Sequence, residues 1–254
     1  MLKTAYTDTG GEGRAVVLTH GAGMNHTMFD PQAAELQKAG YRVIRWDMPG
    51  HGASPLDPGT RFTATGALTE LAALLDWLRL DRPVLIGHSL GGNLSQALVR
   101  ADADRAGGLI VLDATWNAGP LNGLERLGLR LAAPGLAMIP PARLPDLMAR
   151  VSAVTPEAVD HARTAFAAMP SRTFRDVWRA TASLVAPEPG YRTPVPVALI
   201  RGARDRTGNI ATAMPRWASA EKIDEHVIPA AGHLVTLDAP GPTSEALLDV
   251  LSRW

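Results

Sequence analysis

Val84-Leu85-Ile86-Gly87-His88-Ser89-Leu90-Gly91-Gly92 is the stretch whose reading decides the fold. An apolar run of strand type meets a glycine-flanked serine, and a helical pattern opens at once and continues to Arg100. A strand that turns so abruptly into a helix forces the residue at the turn into strained dihedrals and crowds its neighbours. Glycines two positions before and after relieve the crowding, because they carry no Cβ. The serine hydroxyl then projects above the strand end, with the N-terminus of a helix behind it to favour developing negative charge. The G-x-S-x-G pattern alone is a weak signal, and its strand–turn–helix setting gives it weight.

Outward from this turn, short apolar runs recur at Ala15–Thr19, Arg42–Trp46, Leu109–Leu112, Val195–Ile200 and His226–Ile228, with a further strand expected near Leu2–Thr7. Helical patterns fall between them at Met28–Ala39 and at Thr65–Leu78, where Leu68, Leu71, Leu75 and Leu78 share a face. Strands alternating with helices predict an α/β fold: a mostly parallel, doubly wound sheet of about seven or eight strands, covered by helices on both faces. The alternation stops between residues 115 and 193. There Leu121, Leu124, Leu127 and Leu131 predict one amphipathic helix, and Leu144, Leu147 and Val151 a second. Thr155-Pro156-Glu157 opens a third, with Val159, Ala162 and Phe166 on one face. Ser171 is placed to cap a fourth that carries Phe174, Val177, Trp178 and Leu184. The expected organisation is therefore a core of residues 1–114 and 194–254 and a helical cap, or lid, of residues 115–193. Ligands of open α/β sheets bind at the carboxyl ends of the strands, where such a cap would supply apolar walls.

The 254 residues allow one large domain with a substantial core. Twenty-five basic and 25 acidic residues balance, which gives no electrostatic reason to expect nucleic acid or an anionic membrane as partner. Without cysteine there are no disulfides, thiol nucleophiles or thiolate metal sites. The first residues, MLKTAYTDTGGEG, carry no apolar signal region, and no apolar run reaches ~18 residues. The expectation is a soluble cytoplasmic protein acting on a small molecule.

A serine nucleophile needs a base, and seven histidines are available. His233, in the Gly-containing loop after the last strand run, is the candidate; His20 and His51 lie in earlier loops, His88 inside the turn, His161 in the cap and His226 in a strand. The base needs an acid to orient it. Asp205 follows the Val195–Ile200 run in Gly202-Ala203-Arg204-Asp205, giving the order Ser, Asp, His. Asp113, at the end of the preceding strand run, competes for that role. Oxyanion donors are expected from the amides of Leu90 and of Ala22, the latter in His20-Gly21-Ala22-Gly23.

These pieces, with Asp47-Met48-Pro49-Gly50-His51-Gly52-Ala53-Ser54, resemble the α/β-hydrolase superfamily along essentially the whole chain. The resemblance implies a serine hydrolase with Ser89, Asp205 and His233 as its triad, a structural role for the Asp47–Ser54 loop, and no metal or organic cofactor. The segment before Ala15 is too short for the two antiparallel strands with which the family often begins. A serine at the nucleophile position disfavours the haloalkane dehalogenase and epoxide hydrolase chemistries, which use aspartate there. The expected substrate is a small or medium apolar ester, thioester or lactone, cleaved through an acyl-enzyme. Carbon–carbon bond hydrolysis or lysis on the same residues, and a ligand receptor with slow turnover, are the alternatives. Trp116, Met138, Met148, Phe166, Trp178 and Leu234 are the candidate pocket residues. Oligomeric state has no signal in the sequence.

Overall fold

The computed structural model describes residues 3–254. Seven strands form one sheet: β1 (Tyr6–Asp8), β2 (Ala15–Thr19), β3 (Arg42–Trp46), β4 (Val84–His88), β5 (Gly108–Leu112), β6 (Val197–Gly202) and β7 (Glu225–Ile228). Their order is β1-β3-β2-β4-β5-β6-β7. Only β1 runs antiparallel, against β3; every other pairing is parallel. One strand precedes Ala15, at Tyr6–Asp8, and the Leu2 end of the expected strand lies outside the described residues. Every residue of β4 and β5 is buried, as expected where both sheet faces are covered.

The helices of the core are α1 (Asp30–Lys38), α2 (Ala64–Trp77) and α3 (Leu90–Ala101). α1 begins with Pro31 in its first turn, where the missing N–H costs nothing, and a 3-10 turn at His26–Phe29 replaces the start of the longer helix expected there. Thr63 caps α2 through the Gly66 amide. The Asp47–Ser54 loop closes on itself: Asp47 is buried and accepts the amides of His26 at 2.7 Å and Ala53 at 2.8 Å. A side chain at Gly52 would strike the Asp47 carboxylate, so this loop does structural work.

Between β5 and β6 the chain forms four helices: α4 (Gly123–Ala137), α5 (Leu144–Ser152), α6 (Pro156–Ala168) and α7 (Ser171–Leu184). Asn122 and Glu125 make a reciprocal capping box at the start of α4, and Thr155 caps α6. Two expectations fail here. Ser171 is the first residue of α7 and caps nothing; Pro170 holds that position. The leucine face of α4 is not buried in a core: Leu124, Leu127 and Leu131 are 81%, 51% and 54% exposed, and Leu147 and Val151 of α5 also reach solvent, with Leu124 and Val151 bordering the cavity above the sheet. The strong periodicity of these segments marks a helix correctly but not which side it buries. α4 rests on α7 through its other side, and α5 rests on α6. The segment leaves and re-enters the core through a neck, where Ala186 and Glu188 donate to the carbonyls of Asn117 and Ala118 at 2.8 and 2.9 Å.

After β6 come α8 (Ile210–Glu221), the short α9 (Val235–Asp238) and α10 (Pro240–Ser252), which packs on α1. Among the described residues, no helix is long and apolar enough to cross a membrane.

Candidate active site

Ser89 sits at the junction of β4 and α3 with φ +51° and ψ −118°, a left-handed conformation that an L-residue adopts only when its surroundings enforce it. They do. Its N–H donates to the Leu112 carbonyl at 2.8 Å, and its own carbonyl accepts from Asn93 at 3.0 Å. An added Cβ at Gly87 would lie 2.4 Å from the Gly91 carbonyl, and one at Gly91 would lie 2.1 Å from the Thr19 carbonyl. The two glycines therefore let three backbone segments pass closer than side chains allow.

Three distant segments meet at this serine. His233 Nε2 lies 3.1 Å from Ser89 Oγ. His233 Nδ1 lies 3.0 Å from Asp205 Oδ2, which assigns the ring proton to Nδ1 and leaves Nε2 free to accept. Asp205 also accepts the Thr207 amide at 2.7 Å. Burial alone would raise the Asp205 pKa, but the His233 charge and hydrogen bond and the Thr207 amide outweigh it and hold the carboxyl down to about 2. Asp113 is fully buried beneath, and His233 directs its Nδ1 hydrogen bond to Asp205 rather than to it. Ligand-type atoms of Asp113, Asp205 and His233 lie within 4.8 Å of one another. Those of His233 and Asp205 are already engaged in the hydrogen bonds just described.

His88 has a part that sequence reasoning missed. Its Nε2–H donates to the backbone carbonyl of His233 at 2.7 Å, and the two rings lie 4.8 Å apart. Burial pushes its pKa down to about 3, so the imidazole stays neutral. The residue inside the serine turn thus anchors the loop that carries the base, a contact across 145 residues that no local pattern announces.

The amides of Ala22 and Leu90 donate to no protein acceptor among the described residues. The loop before Ala22 approaches so closely that an added Cβ at Gly21 would lie 3.3 Å from the Ser89 Cβ. Two N–H groups without a protein acceptor therefore belong to the loop packed against Ser89 and to the residue that follows it, the latter at the start of the 12-residue α3.

A cavity of about 970 Å³ opens above Ser89. Ala22, Met24, Ile210, His233 and Leu234 line it from the core; Leu129, Met148, Phe166 and Trp178 line it from the helices above. Met148, Phe166, Trp178 and Leu234 were expected there. Two expected pocket residues are elsewhere. Trp116 stacks on Trp217 of α8, ring centroids 5.8 Å apart, because the chain leaving β5 runs down that side of the core. Met138 ends α4 in solvent, 86% exposed. Met24 and Ile210 were not foreseen; Met24 directly follows the glycine loop of the oxyanion candidate, which was the available signal. The side chains of Arg204 and Arg206 border the cavity without an ion-pair partner among the described residues.

A model of the alpha/beta hydrolase family matches residues 16–246. The chain belongs to the alpha/beta hydrolase family, and is a hydrolase of that fold. Over its length it is similar to the provisionally named carbamate hydrolase RutD of Variovorax paradoxus (strain S110), 25% identical with 95% of this chain and 93% of that one covered. It is also similar to a 2-hydroxy-6-oxononadienedioate/2-hydroxy-6-oxononatrienedioate hydrolase of Burkholderia vietnamiensis (strain G4 / LMG 22486). There the identity is 34%, but the match spans only 44% of this chain and 40% of the relative. A thermophilic esterase from Thermogutta terrifontis superposes with a TM-score of 0.83 at 27% identity, covering 98% of this chain and 93% of the esterase.

Proposed function

We propose that this hydrolase cleaves small or medium, largely apolar esters, thioesters or lactones through an acyl-enzyme, with Ser89, His233 and Asp205 as its triad. The observation that carries the reading is the unbroken chain Ser89 Oγ to His233 Nε2 at 3.1 Å and His233 Nδ1 to Asp205 Oδ2 at 3.0 Å, opening into a mostly apolar cavity. In this mechanism His233 Nε2 takes the Ser89 proton as Oγ adds to the carbonyl carbon. The oxyanion settles between the amides of Ala22 and Leu90, each worth about 3 kcal/mol of barrier. Asp205 remains ionised and stabilises the imidazolium. The tetrahedral centre then collapses: the bond to the leaving oxygen or sulfur breaks, and His233 returns its proton to that atom. Water, deprotonated by His233, adds to the acyl-serine, and the acid leaves as Ser89 Oγ regains its proton.

The helices α4 to α7 act as the cap of this site, with Met148, Phe166 and Trp178 against the acyl or alcohol group. A cavity of about 970 Å³ admits a ligand of drug-like size. The similarity to a hydrolase of oxononadienedioates keeps carbon–carbon cleavage as the second reading, since the same serine and base serve it.

Ser89→Ala is expected to lower p-nitrophenyl acetate and butyrate turnover by at least about 10³-fold while the melting temperature holds. A panel of lactones and vinylogous diketones assayed beside the esters separates the two readings by which class turns over. Turnover of every class at the wild-type rate in the alanine variant would reject Ser89 as nucleophile.

A further inference from the structure

Asp113 is a buried carboxyl group beside the triad that the reaction above leaves without a task. It follows β5 directly, and its N–H donates to the Ile200 carbonyl at 3.0 Å, extending the β5–β6 ladder by one step. At φ +43° the backbone then turns sharply, a strained conformation for a residue with a Cβ. The turn sends the side chain across to β6, where Oδ1 accepts the Gly202 amide at 2.9 Å. The residue has no exposed surface, and its Oδ2 is buried with no N–H within reach among the described residues. A carboxylate oxygen of Asp113 lies within 4.8 Å of ligand-type atoms of Asp205 and His233, and with Oδ1 held by the Gly202 amide, Oδ2 is the oxygen left without a partner.

Two buried carboxylates this close cannot both be ionised without a cation between them. His233 supplies one hydrogen bond to Asp205 and nothing to Asp113. Arg201, whose charge acts on Asp113, is committed to Glu225 at 2.8 Å and to the Gly202 carbonyl. His88 is neutral and faces the His233 carbonyl. The proton must therefore reside on whichever carboxyl has fewer donors. Asp205 has the Thr207 amide and the imidazole; Asp113 has the Gly202 amide alone. Burial first, and then the Asp205 charge, drive the Asp113 pKa well above the usual carboxylate range.

We propose that Asp113 remains protonated and donates its carboxyl proton from Oδ2 to Asp205, making it a positioning residue that fixes the carboxylate orienting His233. The donation satisfies the otherwise orphaned oxygen and gives Asp205 a third donor. It also explains why a carboxyl tolerates complete burial at a strained turn. This inference rests on the triad reading above.

The test compares Asp113→Asn with Asp113→Leu. The amide can accept from Gly202 and donate to Asp205, so the asparagine variant is expected to keep the wild-type kcat and the wild-type acid limb of the pH profile. The leucine variant is expected to lose about ten-fold in kcat with KM little changed. Its acid limb is expected to move to higher pH, because an Asp205 stripped of a donor holds the imidazolium more strongly. A downward shift of the acid limb in Asp113→Asn would show that a negative charge had been removed and would overturn the proposal. Equal impairment of the two variants, or a leucine variant indistinguishable from wild type, would overturn it as well. Should the leucine variant not fold, the low-field proton resonance of His233 Nδ1 decides on the asparagine variant alone: unchanged position supports the shared proton, and displacement rejects it. That resonance is read in the resting protein. A failure of Ser89→Ala to abolish turnover would therefore remove the enzymatic reading while leaving the carboxyl pair to stand or fall separately.

Discussion

At Gly91 the backbone of α3 passes so near β2 that an alanine Cβ would sit 2.1 Å from the Thr19 carbonyl and 2.6 Å from that of His20. Neither oxygen belongs to a flexible side chain, so the clash must be relieved by moving the segment that leads to Ala22. Gly91→Ala is expected to cost about 3 kcal/mol of stability and to lower kcat more than about ten-fold, since the Ala22 amide, proposed to hold the oxyanion, moves with that segment. Calorimetry and ester kinetics check it; a variant with wild-type melting and turnover would show that this close approach is not needed. The meeting of Ser89, His233 and Asp205 was legible in the sequence because each sits in a local pattern: a glycine-flanked serine after an apolar run, a Gly-His after the last strand, an aspartate at a strand end. His88 and Asp113 were not, because their roles exist only as contacts between segments far apart in the chain.

Among elements, the cap helices and the His233 loop are joined by one side chain. Asp238, at the end of α9, accepts the amides of Val154 and Thr155 at 2.9 Å each, the Thr155 hydroxyl at 3.0 Å, and the Gly232 amide at 2.8 Å. Leu234 adds a backbone bond to the Ser152 carbonyl at 2.9 Å. Asp238→Ala removes the shared acceptor and is expected to cost roughly 2–3 kcal/mol of stability. It is also expected to lower kcat/KM by about ten-fold, because the base loop loses an anchor next to the imidazole. A fall in melting temperature with unchanged kcat/KM would show that the clasp is structural only. The parallel strands were read from sequence to within a residue or two because buried parallel strands are continuous apolar runs, whereas the antiparallel β1, expected near Leu2–Thr7, is found at Tyr6–Asp8. The helix α4 was read from its leucines, but not which of them are covered. Its leucines repeat with helical spacing, but spacing says that a stripe exists and not what covers it; here the less exposed side carries Leu129, Ala133 and Leu136, and the helix contacts α7.

For the molecule as a whole, three buried histidines tie stability to pH. Burial pushes His20 down to about 4, and His51 and His88 each down to about 3. Unfolded, each would take a proton near pH 6.5. Below that value the unfolded chain binds more protons than the folded one, so stability is full above about 6.5 and declines as pH falls toward about 4 and then 3. By pH 5 each histidine costs roughly 2 kcal/mol. Asp205 adds to the same trend at lower pH: held to about 2, it contributes stability above its ordinary value of 3.8 that is lost as pH falls below it. Urea midpoints measured from pH 7.5 down to 4.5 are expected to fall steadily, and a flat profile would mean that these imidazoles reach solvent.

The neck formed by Asn117, Ala118, Ala186 and Glu188 carries a consequence for how such a protein can change over generations. Because the outgoing and returning chains are zipped together at the base, everything beyond them is a closed loop whose length the sheet does not feel. Segments there can be lengthened, trimmed or traded without re-registering a single strand pair. Such change leaves the spacing of hydroxyl, imidazole and carboxylate intact as long as it spares the Ser152–Thr155 segment that clasps the His233 loop.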